Sequence, residues 1–414
     1  MQDTHAENEA ARNRFREELE HNEKKRNALL AAMYHCQGFN QPQIAEAMGV
    51  SQATVSRWLR EAMQERWLVH AAPVLSEDVE QTYLPVLSEH FAVLPRHGEA
   101  LKAAFAREVA EGKSRSRLRW LAVVPGGAEE NPERSRRLVG AAGARRLAEL
   151  VSRVVARSRS SRSKYIYLGI LWGRTLAALA ACSQSLRVPR LVVLPLIGGT
   201  PTTAVFPQAG DDANTLAKML TRQFGGQHDP MPLTVPAAIT TEFSPDEAAV
   251  IRKFVATDPS YREILGPGGL AEQVRIAILG IGSASEAYVA EWLSARPYVT
   301  LEELEQLRAD GFHGDIACRF FGCYPGLRSE TAEIVNQRAL GIELERIATI
   351  SADPERHVLA CAASSDKAQA IAGAVRCGLV TDLVTDEFAA KAILRSLGVE
   401  PPEEPPYVRI GRGR

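Results

Sequence analysis

Residues 41–60 read QPQIAEAMGVSQATVSRWLR, a pattern that specifies two short helices meeting at a tight turn. Ile44, Ala45 and Met48 recur at helical spacing, and Gly49 permits the positive φ of such a turn. Val50 packs beneath it, and Ser51 can cap a second helix that buries Val55 with Trp58 or Leu59. Ala45 supplies the small side chain needed where two helices cross steeply. The outward face of the second helix carries Gln52, Thr54, Ser56, Arg57 and Arg60 beside the Ser51 cap, all able to bond base edges or phosphates. A plain helical hairpin shares the apolar spacing but has no need of the polar face. The stretch is therefore expected to be a helix-turn-helix with operator DNA as its partner.

Upstream, residues 26–39 (RNALLAAMYHCQGF) carry an apolar stripe through Leu29, Leu30, Met33 and Tyr34, as a supporting first helix would. Lys24, Lys25, Arg26, Arg57, Arg60 and Arg66 form a local basic patch, diluted by Glu46, Glu61 and Glu65. A small DNA-binding domain is expected over residues 26–72, ending before Pro73. Residues 1–25 read either as a polar tail or as a helix that pairs with another subunit. A connector over residues 73–116 follows, helical through 76–111.

From residue 117 the pattern changes to short runs rich in β-branched residues alternating with longer helical stretches. Strands are expected at 119–124, 165–171, 190–196, 274–279, 313–317 and 357–362, with one near the end at 379–384. Helices fit at 131–156, 175–185, 212–224, 246–257, 301–310 and 366–377. This alternation implies βαβ units and a doubly wound α/β domain over residues 117–400, its parallel sheet covered on both faces. Residues 401–414 form a tail. Two basic, serine-rich stretches, 113–117 and 157–164, read as solvated surface rather than as a second nucleic-acid site.

In an open α/β sheet a ligand sits where strand ends enter helices. Three loops have the composition for it. Residues 169–175 (GILWGRT) end a strand and open a helix: Gly173 lets backbone N–H groups approach an anion, and Thr175 adds a hydroxyl. Residues 279–285 (LGIGSAS) bring Gly282 and Ser283, and residues 196–200 (LIGGT) bring Gly199. None matches GxGxxG or a loop ending in GK[ST], so no nucleotide cofactor is expected. Asp315 follows a glycine in a short strand, where its carboxylate could accept hydrogen bonds from sugar hydroxyls; an exposed turn aspartate fits the same residues. Lys367 is expected in the first turn of a helix, where a cation opposes the helix dipole unless it meets an anion. Together these residues favour a small phosphorylated or polyhydroxylated ligand.

The chain has 414 residues, 45% hydrophobic and 24% charged, with a net charge of −1, which suits an ordinary soluble protein of two or three domains. Near-neutral charge argues against indiscriminate coating of nucleic acid. The six cysteines form no CxxC pair, so neither a disulfide framework nor a zinc site is expected. The N-terminal residues lack the pattern of a signal peptide, and no apolar run approaches the roughly 20 residues of a membrane span. A cytoplasmic location, with no membrane partner and no metal, is the expectation.

The α/β part resembles the SorC family of bacterial transcriptional regulators. The resemblance rests on WGRTL (172–176), PLIGG (195–199), DANTLAKML (212–220), FGGQH (224–228), LGIGSAS (279–285), GDIACRFF (314–321), SSDKAQAI (364–371) and GLVTDLVTDEFAAKAIL (378–394). It implies a helix-turn-helix joined to a domain that looks like sugar-phosphate isomerases and deaminases. It also implies a phosphorylated sugar or polyol as effector, and a dimer or tetramer as the working form. Carried over by residue, the resemblance implies that Gly173, Arg174 and Thr175 face the effector with Gly282 and Ser283, that Asp315 takes sugar hydroxyls and that Lys367 meets the phosphate. The chain departs from the pattern at Leu171, where a small residue is common, and at Cys318, where glycine is frequent. Ala363-Ser364-Ser365 also replaces a more glycine-rich approach to the Asp366-Lys367 pair.

The leading expectation is a DNA-binding regulator of a carbohydrate or polyol operon, without catalytic residues. The competing reading is a sugar-phosphate isomerase or deaminase with an appended DNA-binding head, using Asp315 or Glu286 as general base. No histidine in the glycine loops joins a carboxylate, which argues against it. A purely architectural DNA binder would have no need of three polar loops.

Overall fold

The computed structural model describes residues 18–19, 21–36, 41–65, 67–69, 74–75, 94–126, 132–158, 164–183, 186–199, 212–285 and 298–403. The N-terminal part begins with α1 (Glu23–Cys36), which buries Ala28, Leu29, Ala31, Ala32 and Met33. It is followed by α2 (Gln41–Met48) and α3 (Gln52–Gln64), and α3 packs on both. Val55, Trp58, Leu59 and Ala62, three and four places apart, form the buried stripe of α3. Two short antiparallel strands, β1 (Leu68–Val69) and β2 (Val74–Leu75), continue the fold past residue 72. Of the expected connector, the described part is α4 (Pro95–Ala110), which buries Leu101, Ala104 and Phe105; residues 76–93 lie outside the described residues.

Strands and helices then alternate. In chain order they are β3 (Trp120–Val124), α5 (Pro132–Arg157), β4 (Ile166–Ile170), α6 (Arg174–Cys182), β5 (Leu191–Pro195) and α7 (Ala213–Gln223). Next come α8 (Pro245–Val255), α9 (Pro259–Ile264), β6 (Val274–Leu279), β7 (Gly282–Ser283), α10 (Leu301–Ala309), β8 (Gly314–Ile316) and β9 (Arg319–Phe321). The last are α11 (Glu330–Arg338), α12 (Leu344–Ala352), β10 (His357–Cys361), α13 (Ala368–Arg376), β11 (Asp382–Asp386) and α14 (Glu387–Ser396).

Six strands form one parallel sheet in the order β3-β11-β10-β6-β4-β5. All residues of β5, β10 and β11 are buried, so the sheet is covered on both faces and its strands read as continuous apolar runs. The doubly wound α/β class is therefore the observed one. Chain order fixes where a ligand can enter. Strand β4 leads on to β5 at one edge, whereas its neighbour β6 leads towards β10 and β11 on the other side. The connections leaving these adjacent strands diverge, which opens a crevice beyond their carboxyl ends.

Three expectations need correction. The strand at 313–317 does not join the parallel sheet: β8 lies between β7 and β9 in a separate antiparallel sheet, because the β8–β9 connection has only two residues and cannot make a parallel crossover. The strand expected at 379–384 is Asp382–Asp386, displaced because Gly378 still belongs to the turn that ends α13 and Leu379 donates back to Ala374. Lys367 is not in the first helical turn proper; residues Ser365–Lys367 make a short 3-10 turn ahead of α13.

Candidate functional site

In the helix-turn-helix, Gly49 adopts φ +64° and Val50 N–H donates to Ala45 O at 2.9 Å, closing the turn. Ser51 is the N-cap of α3 and its Oγ accepts from Thr54 N–H at 3.2 Å. The Ser51 and Thr54 hydroxyls also lie 2.9 Å apart, so they serve the cap. Gln52, Arg57 and Arg60 are exposed, and Ser56 is half-buried. Part of the upstream basic run has other work: Lys24 pairs with Glu61 at 2.9 Å and Lys25 with Glu18 at 2.6 Å. Arg66 lies outside the described residues.

The second site is the crevice beyond β4 and β6. Gly173 ends the β4 loop as the N-cap of α6, with φ +126° and ψ +156°, a conformation open to glycine but strained for other residues. Among the described residues no side chain caps this helix, and none lies within 4 Å of where a Gly173 Cβ would project. The first turn of α6 thus opens at the mouth of the crevice, where its backbone N–H groups and the positive end of its dipole attract an anion. Arg174 is exposed and Thr175 half-buried at this helix start. The facing β6 loop comes close: Trp172 O lies 3.8 Å from the position of a Gly280 Cβ.

Strand β7 carries Gly282 directly opposite Asp315 on β8, and Ser283 opposite Gly314. A Cβ on Gly282 would collide with Asp315 Oδ1, so only glycine permits this approach. Asp315 is buried, which corrects the exposed-turn alternative. Ser283 Oγ donates to Asp366 O at 3.0 Å, and Lys367 Nζ donates to Ile281 O at 2.8 Å. The loops following β6 and β10 are thereby tied together, and Gly282, Ser283, Asp315 and Lys367 are brought into one neighbourhood from three distant segments.

Gly199 stands apart. Its N–H donates to Val235 O and its carbonyl accepts from Ala237 N–H, both at 3.0 Å, so its backbone is engaged in a bridge. Thr200 and Glu286 lie outside the described residues.

Sequence reasoning missed Asp386. Fully buried at the end of β11, it caps α14 by accepting from Ala389 N–H at 3.0 Å, and it accepts from Ser364 N–H at 3.1 Å. Burial pushes its carboxyl above the usual range, against the pull of these backbone donors. An acidic residue closing an apolar strand and followed by a helix-forming run was the available signal.

Ser364 itself holds φ +99° and ψ +139°. Such backbone costs a non-glycine residue about 1–3 kcal/mol, partly offset by the greater unfolded-state entropy of glycine. Ser364→Gly is expected to stabilise the domain by about 1 kcal/mol, raising Tm by roughly 2–4 °C. A melting curve unchanged or shifted downwards would show that the loop is not strained.

Among the described residues no three His, Cys, Asp or Glu side chains cluster as a metal site would require, and no helix is long and apolar enough to cross a membrane. Cys182, Cys318, Cys323, Cys361 and Cys377 are thiols rather than disulfides, and burial pushes the Cys361 thiol up to about 12.

Residues 113–395 match the family described as "Putative sugar-binding domain", and residues 22–66 match the homeodomain-like domain. The chain belongs to the SorC family of sugar-binding transcriptional regulators. A deoxyribonucleoside regulator of Bacillus subtilis (strain 168) is 24% identical over 367 residues, 89% of this chain and 96% of that protein. The full-length sorbitol operon regulator SorC of Klebsiella pneumoniae has a similar fold, with TM-score 0.53 and 20% identity over 90% of this chain and 99% of that one. A transcriptional regulator of Streptococcus pneumoniae TIGR4 gives TM-score 0.51 at 21% identity, covering 72% of this chain and 98% of that one. A DNA-binding head and a sugar-binding α/β domain on one chain make it a transcriptional regulator.

Proposed function

We propose that this SorC-family member is a cytoplasmic regulator of a carbohydrate or polyol operon, working as a dimer or tetramer, and that a phosphorylated sugar in the β4–β6 crevice is its signal. The observation that supports this reading is that the loop before α6 approaches Gly280, while the next residues of the same β6 loop set Gly282 against the buried Asp315 and Ile281 against the Lys367 ammonium. An arriving phosphate takes the helix N–H groups and replaces the Ile281 carbonyl as acceptor for Lys367. A dianion is the better partner for an ammonium, so the exchange is favourable. It also releases Ile281 and lets the β6 loop respond to the ligand. Asp315 accepts from the sugar hydroxyls and so distinguishes one carbohydrate from another.

Ligand that binds only the native state raises its melting temperature. A thermal-shift panel of sugar phosphates beside their unphosphorylated parents tests the reading, and the names of the relatives extend it to pentose and hexitol phosphates. Phosphorylated members should stabilise the protein and the parents should not; a panel without any shift overturns the proposal. The reading contains no catalytic step, so measurable aldose–ketose turnover on the same panel would also overturn it.

On the DNA side, Arg57→Ala is expected to lower operator affinity by about 1–3 kcal/mol, tenfold or more, with an unchanged fold. A gel shift on the DNA upstream of the gene checks this, and equal binding by both proteins would remove Arg57 from the interface.

A further inference from the structure

The amino edge of the parallel sheet, at the opposite end from the β4–β6 crevice, holds a pocket of about 150 Å³. It opens between the first residues of β4 and β6, with Ser158 just past α5 and Arg356 just ahead of β10 on its walls. Tyr165 and Tyr167, their rings 6.1 Å apart, supply apolar surface, and Gln273 and Arg275 supply polar groups. A pocket well below roughly 300 Å³ suits a small molecule.

Arg275 is the unusual residue of this pocket. Tyr167 of β4 pairs with Val274 of β6, and the next residue, Leu168, pairs with Ile276, so Arg275 is an extra residue without a counterpart on β4. Such bulges are rare between parallel strands, and they redirect a side chain. The guanidinium on this bulge lines the pocket and is half-buried. Among the described residues it has no ion-pair or hydrogen-bond partner, and neither has the Tyr167 hydroxyl. Neighbouring arginines are engaged by the fold: Arg356 donates to Glu272 O at 2.8 Å and pairs with Asp353 at 3.0 Å, and Arg190 donates to Ser158 O at 3.2 Å. Burial pushes the Tyr167 phenol up, so its O–H remains a donor.

A guanidinium fork offers two parallel N–H donors to a planar oxyanion. The charge that fits is limited. Helix α5 ends at Arg157, so the negative end of its dipole lies beside the pocket residue Ser158, and the Glu272 carboxylate is close by. One unpaired cation in these surroundings balances a single negative charge and not a phosphate dianion. We propose that this pocket binds a small aromatic monocarboxylate, its carboxylate held by Arg275 and the Tyr167 hydroxyl and its ring against Tyr165.

Calorimetric titration of the full chain with benzoate, acetate and inorganic phosphate tests the site. Benzoate is expected to bind, and acetate to bind more weakly for want of a ring. Arg275→Met should weaken benzoate binding about tenfold or more, by removing the charge-assisted bonds. Tyr167→Phe keeps the ring and should weaken it roughly two- to tenfold. Gln273→Glu leaves Arg275 in place but adds a negative charge at the rim, and should weaken it as well. Circular dichroism confirms that each variant is folded. Phosphate and sugar phosphates bound in the β4–β6 crevice should be insensitive to all three substitutions, so either site can fail without the other. No binding of benzoate, acetate binding as tight as benzoate, undiminished benzoate binding by folded Arg275→Met or Gln273→Glu, or phosphate binding lost with Arg275 would each overturn the proposal.

Discussion

Asp382→Asn is expected to cost the α/β domain about 3 kcal/mol, because it removes the buried counter-charge of a buried guanidinium and leaves it only the part-exposed Glu149 carboxylate at 2.7 Å. Asp382 and Arg146 are both buried at the amino end of the sheet, opposite the β4–β6 crevice. Arg146 Nε and Nη2 donate to Asp382 Oδ1 at 3.0 and 2.6 Å. Thr381 Oγ1 donates to Oδ2 at 2.7 Å, and His357 Nδ1 lies 2.9 Å from the same atom. The guanidinium also sits 4.5 Å over the Trp120 ring. One carboxylate thus joins the first residues of β10 and β11 to α5, and α5 to the first residue of β3. For a domain of this size the loss corresponds to a Tm roughly 10 °C lower. The double variant Arg146→Met, Asp382→Asn should recover much of it, since removing both charges is milder than stranding one. A single variant melting with the wild type would mean that this cluster does not hold the amino edge.

The cluster also sets an acid limit. Burial alone pushes the Asp382 carboxyl up, but the hydrogen bonds from His357, Arg146 and Thr381 outweigh it and hold the group below the usual carboxylate range. Its contribution is therefore present above the unfolded value of about 3.9 and is lost as pH falls through the lower native value. The gap in Tm between wild type and Asp382→Asn should accordingly close as the pH drops below about 4. Asp386 has the opposite sign: with a raised native value, its ionisation opposes folding as pH rises through the unfolded value, so acid relieves it.

What could be read from the sequence was whatever repeats locally. The strands at 119–124, 165–171, 190–196, 274–279 and 357–362 were legible because burial on both faces demands uninterrupted apolar runs. The helix-turn-helix was legible because its turn glycine, cap and apolar spacing lie within 20 residues. The three-stranded sheet was not. Strand β7 has two residues, and the hairpin between β8 and β9 turns on Ala317 and Cys318, with φ +55° and +65°. A turn of that kind is normally announced by Asn-Gly or Gly, so the alanine and cysteine concealed it. Strand β11 was misplaced because both its ends are aspartates, which composition assigns to turns; each is buried by donors brought from elsewhere in the chain. Lys367 was singled out for an unfavourable helix position. Its observed partner, the Ile281 carbonyl 86 residues away, is a tertiary contact that no local pattern encodes.

Gly282→Ala is expected to weaken effector binding about ten- to hundredfold while leaving operator binding intact. The added methyl would drive into Asp315 Oδ1 across the β7–β8 pair, so either the carboxylate must rotate or β7 must move off β8. Rotation removes the group proposed to accept from sugar hydroxyls. Movement of β7 carries Ser283 away from Asp366 O and Ile281 away from Lys367, breaking the ties between the β6 and β10 loops. Overpacking of this kind costs about 1–3 kcal/mol, which falls on the bound state as a loss of affinity of about ten- to hundredfold. Gly280→Ala, two residues earlier, is the matched control: its methyl would have Trp172 O as its nearest neighbour at 3.8 Å, an ordinary contact. Thermal shift with the stabilising sugar phosphate reads the first effect and a gel shift reads the second. If both alanine variants keep the full thermal shift, the close approach of Gly282 to Asp315 plays no part in recognition. If both lose it, loop composition matters rather than that contact. Only loss confined to Gly282→Ala assigns effector recognition to the pairing of β7 with β8, and hence to a small antiparallel sheet outside the parallel one.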